Sequence, residues 1–305
     1  MLCWSVSGIA TKHALAVLPP FTLIIMRFTL SVALMLVIGL CCRKSKMLRL
    51  QTISRKDVPL FVLAGFFQPF LYYLLETYTY NAFSSPTIAE TLLSTSPLLS
   101  PLFAAVLLRE RVTRNNMVGI LVSTVGMLML LLLGRNFQLM DFSSQLSIGN
   151  PLGIPLAFAS VSTAILYTVI LRRVPSDYSD LSIVFWVQLI SLVFFYPVWG
   201  FIEGPKALAS FDWAQLTALN SQLSIAVGCV AYLAIFASVL AFILFCYTVR
   251  RIGVTQTNAF NNIRPAFTAL WMLLFFGESL PAGKWIGIAL IILGLFVCQK
   301  KISAF

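Results

Sequence analysis

Glu90 and Arg264 are charged side chains inside stretches that otherwise read as helix suited to hydrocarbon. Thr87, Glu90, Ser94 and Pro97 follow one another at intervals of three, four and three, which puts them on one helical face. Thr255, Asn258, Asn262 and Pro265 repeat that spacing later in the chain. Turned to lipid, such a stripe would cost several kcal/mol for its unpaired polar groups. Both stripes are therefore predicted to line a shared wet cavity. The prolines are predicted to bend their helices there, freeing backbone carbonyls that only protein or water can satisfy.

The chemistry on offer is recognition of charge. Arg264, near the middle of its span, presents a planar fork that matches a carboxylate or another anionic group. Glu90 can meet an amine or carry a proton: burial favours its neutral form, and a nearby cation favours the charged one. Together they suit an amino acid or related zwitterion. The predicted substrate-binding residues are Arg264, Glu90, Asn258, Asn262, Ser94, Arg27, Trp4 and Tyr73, with Pro97 and Pro265 as helix kinks. Some of these have a plainer role open to them. Arg27 is either the partner of Glu90 or a tie between helices, and Trp4 and Tyr73 are either cavity walls or ordinary packing. Glu76 reaches the interface from a helix end, while Glu110 and Glu278 read as helix-end anchors or gate contacts. The six cysteines show no metal-ligand spacing and read as small apolar fillers. No catalytic residue, metal or cofactor is assigned.

The elements that must position these residues are membrane helices. The chain is 59% hydrophobic and only 10% charged, with a mean hydropathy of +0.93. Apolar runs of about 20 residues, the length that crosses a bilayer as a helix, recur along it. They lack the period-two alternation of a β-barrel. Ten spans are predicted, at residues 2–18, 21–42, 58–79, 85–108, 117–133, 152–171, 181–201, 225–249, 254–276 and 285–297. The fold class is an all-α polytopic membrane protein. The first span is short and ends at Pro19-Pro20, which points to a start further upstream or to a short, tilted helix.

Basic residues set the orientation. With both termini in the cytoplasm, the inner loops hold fifteen of the 21 Lys and Arg, the outer ends hold four, and Arg27 and Arg264 lie within spans. That division follows the positive-inside rule, so the formal net charge of +11 reports topology and contact with an anionic leaflet. Nucleic acid is not an expected partner.

The chain also repeats. A shift of 168 positions aligns Thr87 with Thr255, Pro97 with Pro265, Glu110 with Glu278, Gly119 with Gly287 and Gly126 with Gly294. Two five-helix halves follow, residues 1–134 and 150–301. Five is odd, so the second half enters the membrane from the opposite side, as in the inverted repeats of secondary transporters. The first half carries Trp4, Lys12, Pro19-Pro20, Arg27, Pro97, "LLRERV", Gly119 and Gly126; the second closes on Pro265, "FFGESL", Gly287 and Gly294. This paired spacing resembles the EamA family of the drug/metabolite transporter superfamily, over nearly the whole chain. Family members commonly carry Gly after the first-helix Trp, where this chain has Ser5. The resemblance implies ten helices, an inner-membrane location and export or exchange of small metabolites.

Three functional classes compete. A secondary transporter fits the inverted repeat and the polar stripes. Without a P-loop, its energy would come from a proton or counter-substrate gradient. An intramembrane enzyme lacks the parts, since there is one histidine and every aspartate lies in a loop or at a helix end. A scaffold or sensor would not need matching buried stripes. The reading is therefore transport of small metabolites, with amino acids or related zwitterions ahead of hydrophobic cationic drugs. The partners are the small-molecule substrate and the bilayer, and a homodimer is one assembly the sequence allows.

Overall fold

The computed structural model describes residues 1–42, 44–45, 48–82, 92–93, 95–109, 112–132, 152–204, 222–276 and 282–299. The elements they form are helices, without a strand among them. Five are long and apolar enough to cross a membrane: Pro20–Cys41, Val58–Thr79, Gly153–Arg173, Asp180–Ile202 and Gln222–Ile252; Ser96–Leu108 and Trp285–Cys298 are shorter and apolar. The protein is a polytopic helical membrane protein.

Several crossings are interrupted. The third runs as α3 (Val58–Gly65), a kink within Phe66–Leu71, and α4 (Tyr72–Ala82). The cause is local: Gln68 is extended (φ −150°, ψ 125°) because Pro69 excludes the helical conformation from the residue before it. The sequence reading treats 58–79 as one helix and misses this break. The eighth crossing passes through a widened turn at Leu233–Leu240, between α9 (Gln222–Tyr232) and α10 (Ala241–Ile252).

The chain divides into two compact units, and each draws helices from both sequence halves. One comprises Met1–Ser5, Leu71–Arg172 and Thr248–Phe305; the other comprises Val6–Phe70 and Arg173–Tyr247.

In the first unit, α6 (Arg114–Leu132) packs along α13 (Ala282–Gln299). Glycines let the two backbones touch. A Cβ on Gly119 would sit 2.5 Å from the Gly294 carbonyl, one on Gly294 would sit 2.5 Å from the Gly119 carbonyl, and one on Gly126 would sit 2.6 Å from the Gly287 carbonyl. Such small-residue seams are how membrane helices approach closely. The pairing also reports symmetry. Exchanging halves turns the Gly119–Gly294 contact into Gly287–Gly126, so the seam maps onto itself. It runs antiparallel, since rising along α6 means descending α13. The equivalent helices α6 and α13 therefore point in opposite directions, as inverted repeats require. Asn116 extends the seam by donating from Nδ2 to the Cys298 carbonyl at 2.8 Å. It also closes a reciprocal cap with Thr113: Asn116 N–H donates to Thr113 Oγ1 at 3.2 Å, and Thr113 N–H to Asn116 Oδ1 at 3.0 Å.

In the second unit, α2 (Pro20–Cys41) packs against α8 (Asp180–Ile202) and the 233–240 turn. The first amides of α2, which have no partner within the helix, are capped from the far end of α8. Glu203 accepts from Phe21 N–H at 3.1 Å, from Thr22 N–H at 2.7 Å and from the Thr22 hydroxyl at 3.0 Å. A carboxylate there also meets the positive end of the helix dipole. The other end of α8 grips the connection after α2. Ser54 N–H donates to the Tyr178 hydroxyl at 2.9 Å, which donates to Asp57 at 2.8 Å, and Trp186 Nε1 donates to the Gln51 carbonyl at 2.8 Å. Burial, and then the Asp57 carboxylate, push the Tyr178 phenol above its ordinary pKa, against the opposing effect of the Ser54 amide.

Candidate functional site

The ninth crossing is polar for a reason its backbone explains. It runs as α11 (Val254–Ala259), a tighter 3₁₀ turn at Phe260–Asn262, and α12 (Ile263–Phe276). Pro265 lacks the N–H that would bond the Asn261 carbonyl, so the regular ladder cannot continue through this point. The turn's polar side chains bond sideways instead. Thr255, Asn258 and Asn262 are buried, and the predicted stripe is engaged with two helices. Asn262 Nδ2 donates to Ser123 Oγ at 2.8 Å and Thr124 Oγ1 at 3.2 Å, both on α6. Its Oδ1 is buried without a hydrogen bond among the described residues. Asn258 Nδ2 reaches Thr168 Oγ1 on α7 (Gly153–Arg173) at 3.5 Å.

Asn261 joins this cluster, although the sequence stripe does not include it. Near-3₁₀ winding brings positions three apart over one another, and Asn261 Nδ2 lies 3.4 Å from Asn258 Oδ1. It also lies 3.5 Å from Ser96 Oγ at the start of α5 (Ser96–Leu108). The run "NAFNN" before an Arg-Pro pair was the available signal. The contacts at 3.4–3.5 Å are long for hydrogen bonds, so these amides retain capacity for a ligand.

Arg264 sits at the second position of α12. Its guanidinium carbon lies 5.8 Å from the centroid of the Trp4 ring, within cation–π range. Trp4 belongs to the first turn of α1 (Leu2–Leu15), and the residue after it is tied to α12 as well. Trp271 Nε1 donates to Ser5 Oγ at 2.9 Å, and Ser5 Oγ donates to the Leu2 carbonyl at 2.8 Å. The hydroxyl that replaces the family's common glycine thus fixes the start of α1 on α12. Arg264, Trp4, Asn258, Asn261 and Asn262 all belong to one unit, where Arg264 meets Trp4 and Asn261 meets Asn258.

The other predicted residues fall as follows. Tyr73, in the same unit, is half-buried with its ring edge-on to Tyr72 at 5.2 Å. The Tyr72 hydroxyl donates to Glu76 at 2.9 Å. Pro97 lies in the first turn of α5, where a proline removes no helical hydrogen bond. Glu90, Ser94 and Thr87 lie outside the described residues, as do Glu110 and Glu278.

Arg27 belongs to the second unit and is 6% exposed. Its Nε donates to Ser238 Oγ at 2.6 Å, and its guanidinium lies 5.4 Å from the Phe28 centroid. Gln188, fully buried on α8, donates to the Ser238 carbonyl at 2.8 Å and accepts from the Ser31 hydroxyl. The widened turn at 233–240 makes that carbonyl available, as such turns do. Sequence reasoning missed Gln188, Ser31 and Ser238, because nothing near them in the chain marks them as partners.

A helical membrane protein of two inverted halves, with a guanidinium and a cluster of amides held inside it, is a membrane transporter in class. The chain belongs to the EamA-like transporter family, whose family model matches residues 1–132 and again 151–298. The uncharacterized transporter YetK of Bacillus subtilis is 27% identical over 276 residues, covering 90% of this chain and 77% of the relative. An uncharacterized transporter of Archaeoglobus fulgidus is 22% identical over 298 residues, covering 98% and 95%. An S-adenosylmethionine/S-adenosylhomocysteine transporter of Chlamydia trachomatis serovar D is 25% identical over 294 residues, covering 95% and 84%. A solved crystal structure shares the fold, with a TM-score of 0.72 at 22% identity over 98% of this chain and 94% of that one. The setting is thus a lipid bilayer and the substrate a small molecule.

Proposed function

We propose that the protein is a secondary transporter that exports or exchanges small metabolites bearing a carboxylate and an amine, amino acids and related zwitterions, by alternating access across the inner (plasma) membrane. The observation that carries this reading is Arg264 over Trp4, in the same unit as the Asn258–Asn261 amide pair: a cation and amide donors and acceptors on one membrane crossing. Charges at such positions are expensive and serve substrate or ion paths. A relative named as a transporter of S-adenosylmethionine and S-adenosylhomocysteine supports the same chemistry, because both solutes carry an amino-acid headgroup.

Glu90 is the proposed partner for the amine and the proposed site of proton coupling, with counter-substrate exchange as the other source of energy. The division of basic residues supports a cytoplasmic side for both termini. The test is uptake into proteoliposomes of the purified protein, using a panel of solutes with and without the amino-acid headgroup. Saturable exchange confined to those that carry it is the expected result. Exchange that ignores the headgroup would sink the substrate assignment while leaving transport intact.

A further inference from the structure

Helices α2 and α8, both within the second unit, are tied to each other at three levels. At the start of α2, the Thr22 hydroxyl accepts from Trp199 Nε1 at 2.9 Å and donates to Glu203 at 3.0 Å, and the same carboxylate takes the Phe21 and Thr22 amides. Midway along, the Ser31 hydroxyl donates to Gln188 Oε1, and both side chains are fully buried. One turn nearer the start of α2, the buried rings of Phe28 and Phe195 stack at 6.4 Å. Arg27 and Gln188 both bond Ser238, so the widened turn at 233–240 is fastened to the pair at this level too.

The third tie lies beyond the end of α2, where the chain crosses the start of α8. Gln51 bonds there through all four of its polar groups. Its N–H donates to Ser182 Oγ at 2.8 Å, its carbonyl accepts from Trp186 Nε1 at 2.8 Å, its Oε1 accepts from Ser179 N–H at 2.6 Å, and its Nε2 donates to the Asp177 carbonyl at 3.0 Å. Gly39 brings α2 itself into this tie: a Cβ there would sit 3.2 Å from Leu181 Cδ2 and 2.8 Å from Leu50 Cβ.

None of the three ties parts freely. Separation at the start of α2 strips its first amides, which have no acceptor within the helix. Separation midway turns the amide of Gln188 and the hydroxyl of Ser31 toward hydrocarbon, where water does not replace the lost bond. Separation at the far end breaks the four Gln51 bonds together. Because the ties lie at different depths, rocking one helix against the other about any single level opens the other two. We propose that α2 and α8 form a fixed strut whose spacing stays constant through the transport cycle, so that access alternates by movement of other helices. The proposal rests on the transporter reading, and it gives Thr22, Ser31, Gln188 and Gln51 the task of holding the strut closed.

The test uses the full-length protein in proteoliposomes. Two bridges are made with a short bifunctional thiol reagent: Gln51→Cys with Ser182→Cys at one end, and Thr22→Cys with Glu203→Cys at the other. Both are placed in a background whose six native cysteines are alanine. Exchange of a solute that the parent accepts is compared in the same preparation before bridging, after bridging and after reduction of the bridge. The strut predicts one rate in all three states for both bridges. A bridge at either end that stops exchange, with recovery on reduction, overturns the proposal. A second arm needs no substitution and stands where a cysteine variant does not insert. Hydrogen exchange of the parent follows the amides of Phe21, Thr22, Gln51, Ser54 and Ser179, the donors of the two end ties, with and without solute. Their protection should hold while solute changes exchange elsewhere in the chain, and loss of protection at either end on adding solute overturns the proposal. A parent that exchanges no solute at all is a different failure: it refutes the transport reading, and the strut with it.

Discussion

Replacing Gly119 with alanine puts a methyl carbon 2.5 Å from the Gly294 carbonyl oxygen. Carbon–oxygen contacts across packed helices sit at about 3.3–3.6 Å. The seam must therefore open locally by roughly 1 Å. The three nearest atoms, Cys298 N, the Gly294 carbonyl oxygen and Cys298 Cα, all belong to backbone, so no rotamer change relieves the clash. Overpacking of this kind costs about 1–3 kcal/mol, a loss of several °C in melting temperature. Gly294→Ala meets the mirror contact at 2.5 Å from the Gly119 carbonyl and should cost a similar amount. Once the seam has opened for one methyl, the second is cheaper, so the double variant should lose less than the sum, by at least about 0.5 kcal/mol. A methyl added at Gly228, in α9, would have nothing within 4 Å, and Gly228→Ala should be neutral or stabilising by about 0.5–1 kcal/mol. Thermal unfolding in one detergent compares all four. A Gly119→Ala variant that melts with the parent, or a strictly additive double, would refute the close antiparallel seam and the symmetry read from it.

Three further outcomes are expected. Ser45→Cys should resist an impermeant thiol reagent in intact cells and react in inverted vesicles, because the basic loop that contains it is assigned to the cytoplasm; strong labelling of intact cells would reverse the topology. Glu203→Gln should lower stability by about 1–2 kcal/mol through loss of the α2 cap, with the loss read by thermal unfolding; an unchanged melting temperature would show the cap to be idle. Glu90→Gln should retain substrate exchange but lose net flux driven by a pH gradient, since the amide cannot titrate; full pH-driven flux would remove Glu90 from coupling.

What could be read from the sequence was what repeats or has a period. The spacing of Thr255, Asn258 and Asn262 marked an inward face, and all three are buried. The 168-residue offset marked Gly119, Gly126, Gly287 and Gly294 as equivalents, and the same four glycines face one another across the α6–α13 seam. What could not be read depends on partners distant in the chain. Glu203 caps α2 from 182 and 181 residues away, and Arg27 meets Ser238 across 211. A hydropathy window sees Gln188, Ser31 and Ser238 only as small blemishes in apolar runs. Backbone breaks were hidden for another reason. Hydropathy averaged over the third span stays high across Gln68–Pro69, and the polar spacing around Phe260–Asn262 suits a regular helix, so only the local chemistry of proline betrays the change of helix type.

Substrate exchange by an Arg264→Ala variant tests the central claim most directly. Arg264 holds the cation at the candidate site, 5.8 Å from the Trp4 ring. The measurement is exchange of an amino-acid-headed solute in proteoliposomes, with insertion and melting temperature recorded for the same preparation. Arg264→Ala should abolish exchange while the protein inserts and melts as the parent does, and Arg264→Lys should restore part of it by keeping the charge without the bidentate fork. Exchange by the alanine variant at the parent's rate would contradict the account.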